Sequence, residues 1–308
     1  NIDTTVMPNG VVYVVAKIYD AVGNFTYSPK QRYMCDNQGP EQVKNVKCIA
    51  VDGTTATLSW SDVSDDDISY FVVECKQSDG VWKSVSRTST NLGVNLSGLT
   101  PEHDYVYRVI GYDKRSNRGT PSEEITVTTL KDTICPKVTK ITPDPGYFKS
   151  EINLRFTAED DYRVKSIEIQ TSTDKESWKT VSEIKATGES AKCTFDCKLD
   201  LKNYEEGSVF VRAKVYDSYG NVTEDKDLTC YEYVVDRTAP IQPTGVTASS
   251  GETEGGSSFV NISWNAITDD NSFAYYRVYK SNSADGEFTL LKNNVKTVNT
   301  YDENVDFS

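Results

Sequence analysis

The sequence predicts an all-β protein made of β-sandwich modules in tandem, forming an elongated array. Its composition is typical of strands and turns, with 19 tyrosines, abundant Thr, Ser and Val, and only 2 methionines. No window of 11 or more residues places apolar side chains at the spacing of an amphipathic helix. The length of 308 residues is too great for one small core and indicates several domains.

A long internal repeat supports the tandem arrangement. KIYDAVGNFT at 17–26 returns as KVYDSYGNVT at 214–223, an offset of 197 residues. A second stretch, LSWSDVSDDDISYFVVE at 58–74, returns as ISWNAITDDNSFAYYRVYK at 262–280. A fixed long period is the signature of repeated modules. The two repeats belong to different modules, so the repeating unit is a pair.

Three similar linkers mark the module boundaries. CDNQGP, KDTICP and VDRTAP each place an Asp four residues before a Pro, and these Asp residues are 96 and 104 residues apart. Proline cannot donate to a strand ladder, which suits a linker, and about 100 residues is the size of a β-sandwich. Because neither end falls at a boundary, we expect a fragment of a longer protein. The predicted modules are the last strands of one module (1–36), a complete module (37–131), a complete module of the other type (132–237) and the start of a further copy of the first type (238–308).

The repeated decapeptide reads as the last hairpin of its module. Gly23 and Gly220 supply the positive φ that a tight turn requires. Asp20 and Asp217 precede them at a spacing that lets each carboxylate accept hydrogen bonds from turn amides.

Residues 37–131 resemble the fibronectin type III family. Six alternating apolar and polar runs separated by turn signals predict its strands. The family's tyrosine corner, in which a Tyr hydroxyl bonds back to the backbone, matches LTPEHDY, and residues 238–308 repeat the strand B and C features through Trp264, Tyr276 and Val278. The residues of 37–131 that carry the resemblance are Pro40, Trp60, Tyr70, Val72, Leu99, Pro101 and Tyr105.

Residues 132–237 resemble bacterial Ig-like modules that alternate with fibronectin-type modules in large Gram-positive surface proteins. The resemblance rests on INLRFTAEDDYRVKSIEIQ, DKESWKTV and VRAKVYDSYGNVT. It implies a β-sandwich fold and a secreted or cell-surface location.

The charge and the missing motifs exclude several classes of function. A formal net charge of −13 repels nucleic-acid phosphates and anionic lipid, and no apolar run is long enough for membrane insertion. The one histidine, His103, has no partner set for a triad or a zinc site, and no phosphate loop, HExxH or GxSxG is present. We therefore expect no enzyme, no catalytic residue and no organic cofactor. The odd number of cysteines, seven, leaves at least one unpaired.

Acidic residues recur at one end of each module and predict a calcium site between modules. They lie in the linkers, in the predicted loop after strand B and in the last hairpin, three segments that meet where strand A enters a sandwich. Hard oxygen ligands in such number suit Ca²⁺. The alternative is that each Asp caps its own turn, which needs no metal. The candidate ligands are Asp36, Asp65, Asp66, Asp67, Asp113, Asp132, Asp160, Asp161 and Asp217, with Asp236, Asp269 and Asp270 repeating the pattern in the last module.

Aromatic residues recur after a predicted hairpin turn, at Trp82, Trp178 and Phe288. Exposed rings could stack on sugars, but the same spacing in three modules favours a shared cross-strand packing role.

These observations predict a non-catalytic extracellular stalk or spacer, secreted or attached to a cell surface. Its partners are the neighbouring modules of the same longer chain, with a host protein or a glycan as a further candidate. The alternatives are an adhesive or carbohydrate-binding module and a filament subunit that shares strands with its neighbours.

Overall fold

The computed structural model describes residues 3–89, 91–252, 256, 258–268 and 270–302, and it confirms the all-β prediction. These residues form 22 strands and one short 3₁₀ turn, Asp225–Asp227. Within the described ranges, no helix has the length and apolar character needed to cross a membrane.

The first strands form two small antiparallel ribbons. The Gly10–Val14 strand pairs with the Gln31–Cys35 strand, and the short hairpin between them turns at Gly23, whose φ of 95° confirms the predicted left-handed conformation. The strands are β1 (Gly10–Val14), β2 (Lys17–Tyr19), β3 (Phe25–Tyr27) and β4 (Gln31–Cys35).

The next strands form a sandwich of two antiparallel sheets, with the orders β5-β6-β9 and β11-β10-β7-β8. Trp60 is buried between them and packs edge-on against Phe71 at 5.6 Å. The predicted tyrosine corner is present, because the Thr100 N–H donates to the Tyr105 hydroxyl at 2.8 Å. The strands are β5 (Lys47–Val51), β6 (Thr55–Ser59), β7 (Ile68–Lys76), β8 (Trp82–Thr88), β9 (Gly93–Ser97), β10 (Asp104–Asp113) and β11 (Ile125–Thr128).

The following strands build a second sandwich around two 22-residue strands, β14 and β15, that pair with each other along most of their length. The first half of β14 pairs with β12 and its second half with β16, so this one strand contributes to both layers. A separate apolar core fills the space between the layers. The strands are β12 (Lys137–Thr142), β13 (Tyr147–Phe148), β14 (Glu151–Ser172), β15 (Lys179–Asp200), β16 (Gly207–Asp217) and β17 (Tyr231–Val235).

The path of β14 corrects one expectation. Asp160 and Asp161 are predicted in a loop after strand B, but they lie inside β14, where the pairing shifts register between Glu159 and Val164. No Gly or Pro interrupts this stretch, and inward apolar residues continue on both sides of the shift. The chain therefore bends from one sheet to the other without leaving extended conformation.

The last described strands form a three-stranded sheet of order β18-β19-β22 and the pair β20-β21. Trp264 is buried here and packs edge-on against Tyr276 at 5.0 Å, as its counterpart Trp60 packs against Phe71. The strands are β18 (Thr247–Glu252), β19 (Ser258–Ser263), β20 (Tyr276–Lys280), β21 (Thr289–Val295) and β22 (Asn299–Asp302).

Two of the three recurrent aromatic residues have the expected cross-strand role. The Arg108 guanidinium lies 4.0 Å from the ring centroid of Trp82, and the Arg212 guanidinium lies 4.0 Å from that of Trp178. In both complete sandwiches an arginine thus covers one ring face. Phe288 is exposed over 58% of its surface.

Candidate metal centres at the module junctions

The site begins with the hairpin that the repeated decapeptide forms. In the second sandwich, one carboxylate oxygen of Asp217 accepts hydrogen bonds from the backbone N–H groups of Tyr219 and Asn221, both at 2.8 Å. The other oxygen accepts from the Asn221 side chain at 2.6 Å. We call this arrangement the Asp–Asn clamp. It orders the turn and buries the Asp217 carboxylate.

The same clamp occurs at two other places. Asp113 accepts from the backbone N–H groups of Arg115 and Asn117 and from the Asn117 side chain, and Asp20 bonds to its own turn and to Asn24 in the same way. Ser116 has a φ of 66° at the position where the other two hairpins have glycine. The conformation is therefore kept where the sequence departs from glycine.

Each clamp in the two complete sandwiches also holds the linker that enters its module. The side-chain nitrogen of Asn221 donates to the backbone carbonyl of Asp132 at 3.2 Å. The side-chain nitrogen of Asn117 donates to the backbone carbonyl of Asp36 at 3.0 Å. These bonds bring the linker Asp next to the hairpin Asp in both sandwiches.

Six of the nine candidate ligands consequently lie in two groups of three. In each group, one carboxylate oxygen per residue lies within 4.8 Å of the oxygens of the other two. Each group combines one linker residue, one residue from either the loop before β7 or the bend of β14, and one hairpin residue. The first cluster is Asp36, Asp67 and Asp113, and the second cluster is Asp132, Asp160 and Asp217.

The second cluster holds two carboxylate oxygens without hydrogen-bond partners. Asp132 accepts the Ile134 N–H through Oδ1 at 2.9 Å, and Asp160 accepts the Tyr162 and Arg163 N–H groups through Oδ2 at 3.2 and 3.1 Å. Asp132 Oδ2 and Asp160 Oδ1 are buried, and within the described structure neither has a hydrogen-bond partner. Buried polar atoms are usually paired, so these two require an explanation.

The electrostatics of the second cluster reflect this burial. Removal from water raises the pKa of Asp160 to about 6, and the carboxylates of Asp161, Asp132 and Asp217 contribute in the same direction. Burial also raises the pKa of Asp132, with further contributions from its acidic neighbours. A carboxylate in low dielectric beside like charges is destabilised in its ionised form.

The first cluster is more open and has a cation beside it. Asp36 and Asp67 are half-buried. The Arg115 Nε atom lies 3.7 Å from Asp36 Oδ2. The Asp65 side chain hydrogen-bonds to Asp67 and raises its pKa, with burial and the nearby Asp113 and Asp36 carboxylates adding to the shift.

The other predicted ligands lie outside the two clusters. Asp65 Oδ1 accepts the Asp67 N–H at 3.5 Å, the Asp66 carbonyl accepts from Lys114 Nζ at 3.2 Å, and Asp161 Oδ2 accepts from the Thr54 hydroxyl at 2.9 Å. In the last module, Asp236 and Asp270 cap their own turns. Asp269 lies outside the described residues.

The second cluster lies at a packed junction between the two complete sandwiches. Besides the Thr54–Asp161 bond, the Tyr219 hydroxyl donates to the Pro101 carbonyl at 3.1 Å, and the Tyr162 hydroxyl donates to the Thr100 hydroxyl at 3.4 Å. The rings of Tyr162 and Tyr219 lie 5.7 Å apart. Two loops of the preceding sandwich therefore bond to residues of the candidate site's own segments.

The sequence reasoning missed the residues that assemble the site. Asn117 and Asn221 were not recognised, although an Asn four residues after each hairpin Asp recurs at Asn24, Asn117 and Asn221. That spacing was a usable signal. The sequence offers no such signal for Tyr219 and Thr54, because the residues that they bond to lie in the neighbouring module.

Comparison with known proteins agrees with the fold. Residues 41–128 match the family model of the fibronectin type III domain. A fibronectin type III domain is therefore present in this chain. It coincides with the first complete sandwich, and the clamp Asp113–Asn117 lies within it.

Solved structures similar to this chain include other domains of the type. The crystal structure of the chicken CNTN1 FN1-FN3 domains is 16% identical, with 87% of this chain and 89% of that chain covered and a TM-score of 0.40. The solution structure of the fibronectin type III domain of human fibronectin type III domain containing protein 3 is 25% identical over 32% of this chain and 93% of that chain, with a TM-score of 0.29. The crystal structure of the FN5 domain of Drosophila Lar is 21% identical, with 30% of this chain and 99% of that chain covered and a TM-score of 0.26.

Proposed function

We propose that this chain is part of a non-catalytic extracellular spacer, in which tandem sandwiches keep a fixed mutual orientation. The observation that carries the proposal is the junction between the two complete sandwiches, where Tyr219 bonds to Pro101 and Thr54 bonds to Asp161 across the boundary. A flexible tether needs no specific contact of this kind. A spacer that sets distance does, because each rotation allowed at a junction shortens the average reach.

The linker geometry supports the same proposal. The carbonyls of Asp36 and Asp132 are bound by the clamps of the modules that follow them, so the linkers are ordered parts of the sandwiches. The short connection then leaves little chain to act as a hinge. An extracellular location agrees with the resemblance of both module types to modules of secreted and surface proteins.

The proposal is tested by small-angle X-ray scattering of the full chain. We expect a narrow distribution of maximum dimension for the unaltered protein. The double variant Tyr162→Ala with Tyr219→Ala removes the aromatic pair and its two bonds at the junction, and we expect it to broaden that distribution while circular dichroism still reports folded sandwiches.

The matched control is the double variant Tyr27→Ala with Tyr279→Ala, since these two tyrosines are exposed over 56% and 48% of their surfaces. It removes the same atoms away from the junction and should scatter like the unaltered protein. A broad distribution in the unaltered protein, or no difference between the two double variants, would refute a fixed-orientation spacer.

A further inference from the structure

We propose that the second cluster, Asp132, Asp160 and Asp217, binds a hard divalent cation, Ca²⁺, at the junction between the two complete sandwiches. This inference goes beyond the spacer proposal, because a cation can bind here whether or not the chain sets a distance. The proposed site is the second cluster, and the first cluster serves as a comparison within the same protein.

Two buried carboxylate oxygens of the second cluster have no hydrogen-bond partner among the described residues. Asp132 is only 1% exposed, and its Oδ2 atom has no hydrogen-bond partner in the described structure. Asp160 Oδ1 is also buried and has no hydrogen-bond partner in the described structure. Both residues already use their other oxygen to accept backbone N–H groups. A buried carboxylate oxygen left without a donor is strongly unfavourable, unless a cation completes its coordination.

The spacing of the carboxylate oxygens in the second cluster is compatible with Ca²⁺. Two oxygens bound to one Ca²⁺ at 2.3–2.6 Å lie at most about 5 Å apart. One oxygen of each of the three carboxylates lies within 4.8 Å of the other two, which is close enough for all three to bind one Ca²⁺. Mg²⁺ keeps several waters and usually binds one or two carboxylates, and Zn²⁺ prefers nitrogen and sulfur ligands, so a group of three carboxylates fits Ca²⁺ better.

Further negative charge surrounds the second cluster. The charges that act most strongly on Asp132 are the carboxylates of Asp161, Asp217 and Asp52. Arg163 follows Asp160 closely in sequence, but its guanidinium pairs with Glu189 at 2.8 Å. Several acidic groups therefore converge on one partly enclosed place, and the guanidinium of Arg163 is engaged with Glu189.

The two clamps differ in one residue that faces the acidic clusters differently. Arg115 and Tyr219 occupy the same position, two residues after the hairpin Asp. In the first cluster this residue brings a guanidinium to 3.7 Å from Asp36. In the second cluster it is a tyrosine whose hydroxyl bonds to Pro101 of the preceding module. The first cluster thus has a positively charged side chain beside it. The second cluster has a tyrosine at that position, so a cation from solution would supply the positive charge.

A cation bound here would connect three segments that are far apart in sequence. It would join the linker through Asp132, the bend of β14 through Asp160 and the last hairpin through Asp217. The neighbouring Asp161 and Tyr219 both bond to the preceding sandwich, so ordering of the cluster would be transmitted across the junction.

The test uses the full chain after treatment with a chelator. Tb³⁺ is titrated in while its luminescence is excited through tyrosine, since Tyr162 and Tyr219 adjoin the cluster, and Ca²⁺ is then added to displace it. We expect Ca²⁺ to compete with an affinity of about 10⁻⁴–10⁻³ M, the range of extracellular calcium modules. Hydrogen exchange with Ca²⁺ should slow at residues 158–163 and 215–222.

Three variants locate the site. Asp160→Asn keeps an acceptor for the Tyr162 and Arg163 amides but removes the charge, and we expect it to weaken Ca²⁺ binding about tenfold or more while raising the melting temperature of the calcium-free protein. Tyr219→Arg supplies the charge that Arg115 supplies in the first cluster, and it should also weaken binding. Asp36→Asn, the matched control in the first cluster, should leave the affinity within about twofold.

Several results would overturn the proposal. One is the absence of Ca²⁺ displacement of Tb³⁺ at about 10 mM, well above the expected range. Another is an unchanged affinity in Asp160→Asn. A third is slowed exchange at residues 63–68 and 111–117, because the ion would then bind the first cluster.

Discussion

The side chain of Asn221 holds the main chain of Asp132 through a 3.2 Å hydrogen bond from its amide nitrogen to the Asp132 carbonyl oxygen. The same amide donates to the Asp217 carboxylate at 2.6 Å. One side chain therefore fixes both the hairpin and the linker. The candidate cation site depends on it, because it brings together two of the three acidic groups.

Replacement of Asn221 by Ala should destabilise the second complete sandwich by about 2–3 kcal/mol. The buried Asp217 carboxylate would lose a charge-assisted hydrogen bond, and the Asp132 carbonyl would lose its donor. Urea unfolding, followed by hydrogen exchange of β16 peptides, measures the loss. The control is Ser208→Ala, which removes an exposed side-chain bond to Glu232 in the same sandwich and should cost less than about 1 kcal/mol. Equal losses of stability in the two variants would show that the hydrogen bonds of Asn221 contribute no more than an exposed side-chain bond.

Replacement of Gly220 by Ala should destabilise the same sandwich by about 1–2 kcal/mol through backbone strain alone. Its φ is 92°, and a Cβ built there meets no atom within 4 Å, so no steric clash contributes. Gly188→Ala is the matched control, because that glycine also has open space but no positive φ, and we expect a change within about 0.5 kcal/mol. Urea unfolding measures the change in stability of both variants. A neutral Gly220→Ala would mean that the hairpin relaxes to another turn.

The contact between Arg212 and Trp178 should show a coupling free energy of about 0.5–1 kcal/mol in a double-mutant cycle. The cycle uses Arg212→Met and Trp178→Leu, singly and together, with urea unfolding as the measurement. The guanidinium lies 4.0 Å from the ring centroid and also donates to Gln170, so the ring is held from one side. No coupling would indicate a ring free of the arginine, which is the arrangement that a sugar-stacking platform needs.

The sequence was sufficient for the fold class, because strand alternation and turn residues are local signals. Trp60 and Tyr105 were among the residues that carried the resemblance to the fibronectin type III family. Tyr105 makes the backbone hydrogen bond that the resemblance implied, and Trp60 is buried in the core. The positive φ of Gly23 and Gly220 was predictable for the same reason, since a tight turn leaves few alternatives.

The site was predictable only in part. The convergence of Asp132, Asp160 and Asp217 followed from the topology of a sandwich, which places these segments at one end. The position of Asp160 within β14 was not foreseen, because adjacent acidic residues are typical of loops and the strand bends here without a glycine or proline. The contacts of Tyr219 and Thr54 were beyond local reasoning, since their partners are 118 and 107 residues away.

The Asp–Asn clamp also bears on how such a chain can change in length. Asp132, Asp217 and Asn221 all belong to one stretch of about 100 residues that starts at a linker. A gene duplication or deletion that cuts at the linkers would therefore carry the clamp and the cluster over intact. The contacts to Thr54 and Pro101 persist only if the preceding sandwich is copied with it. The pair of unlike modules is thus the smallest unit by which the chain can lengthen or shorten without losing an ordered junction.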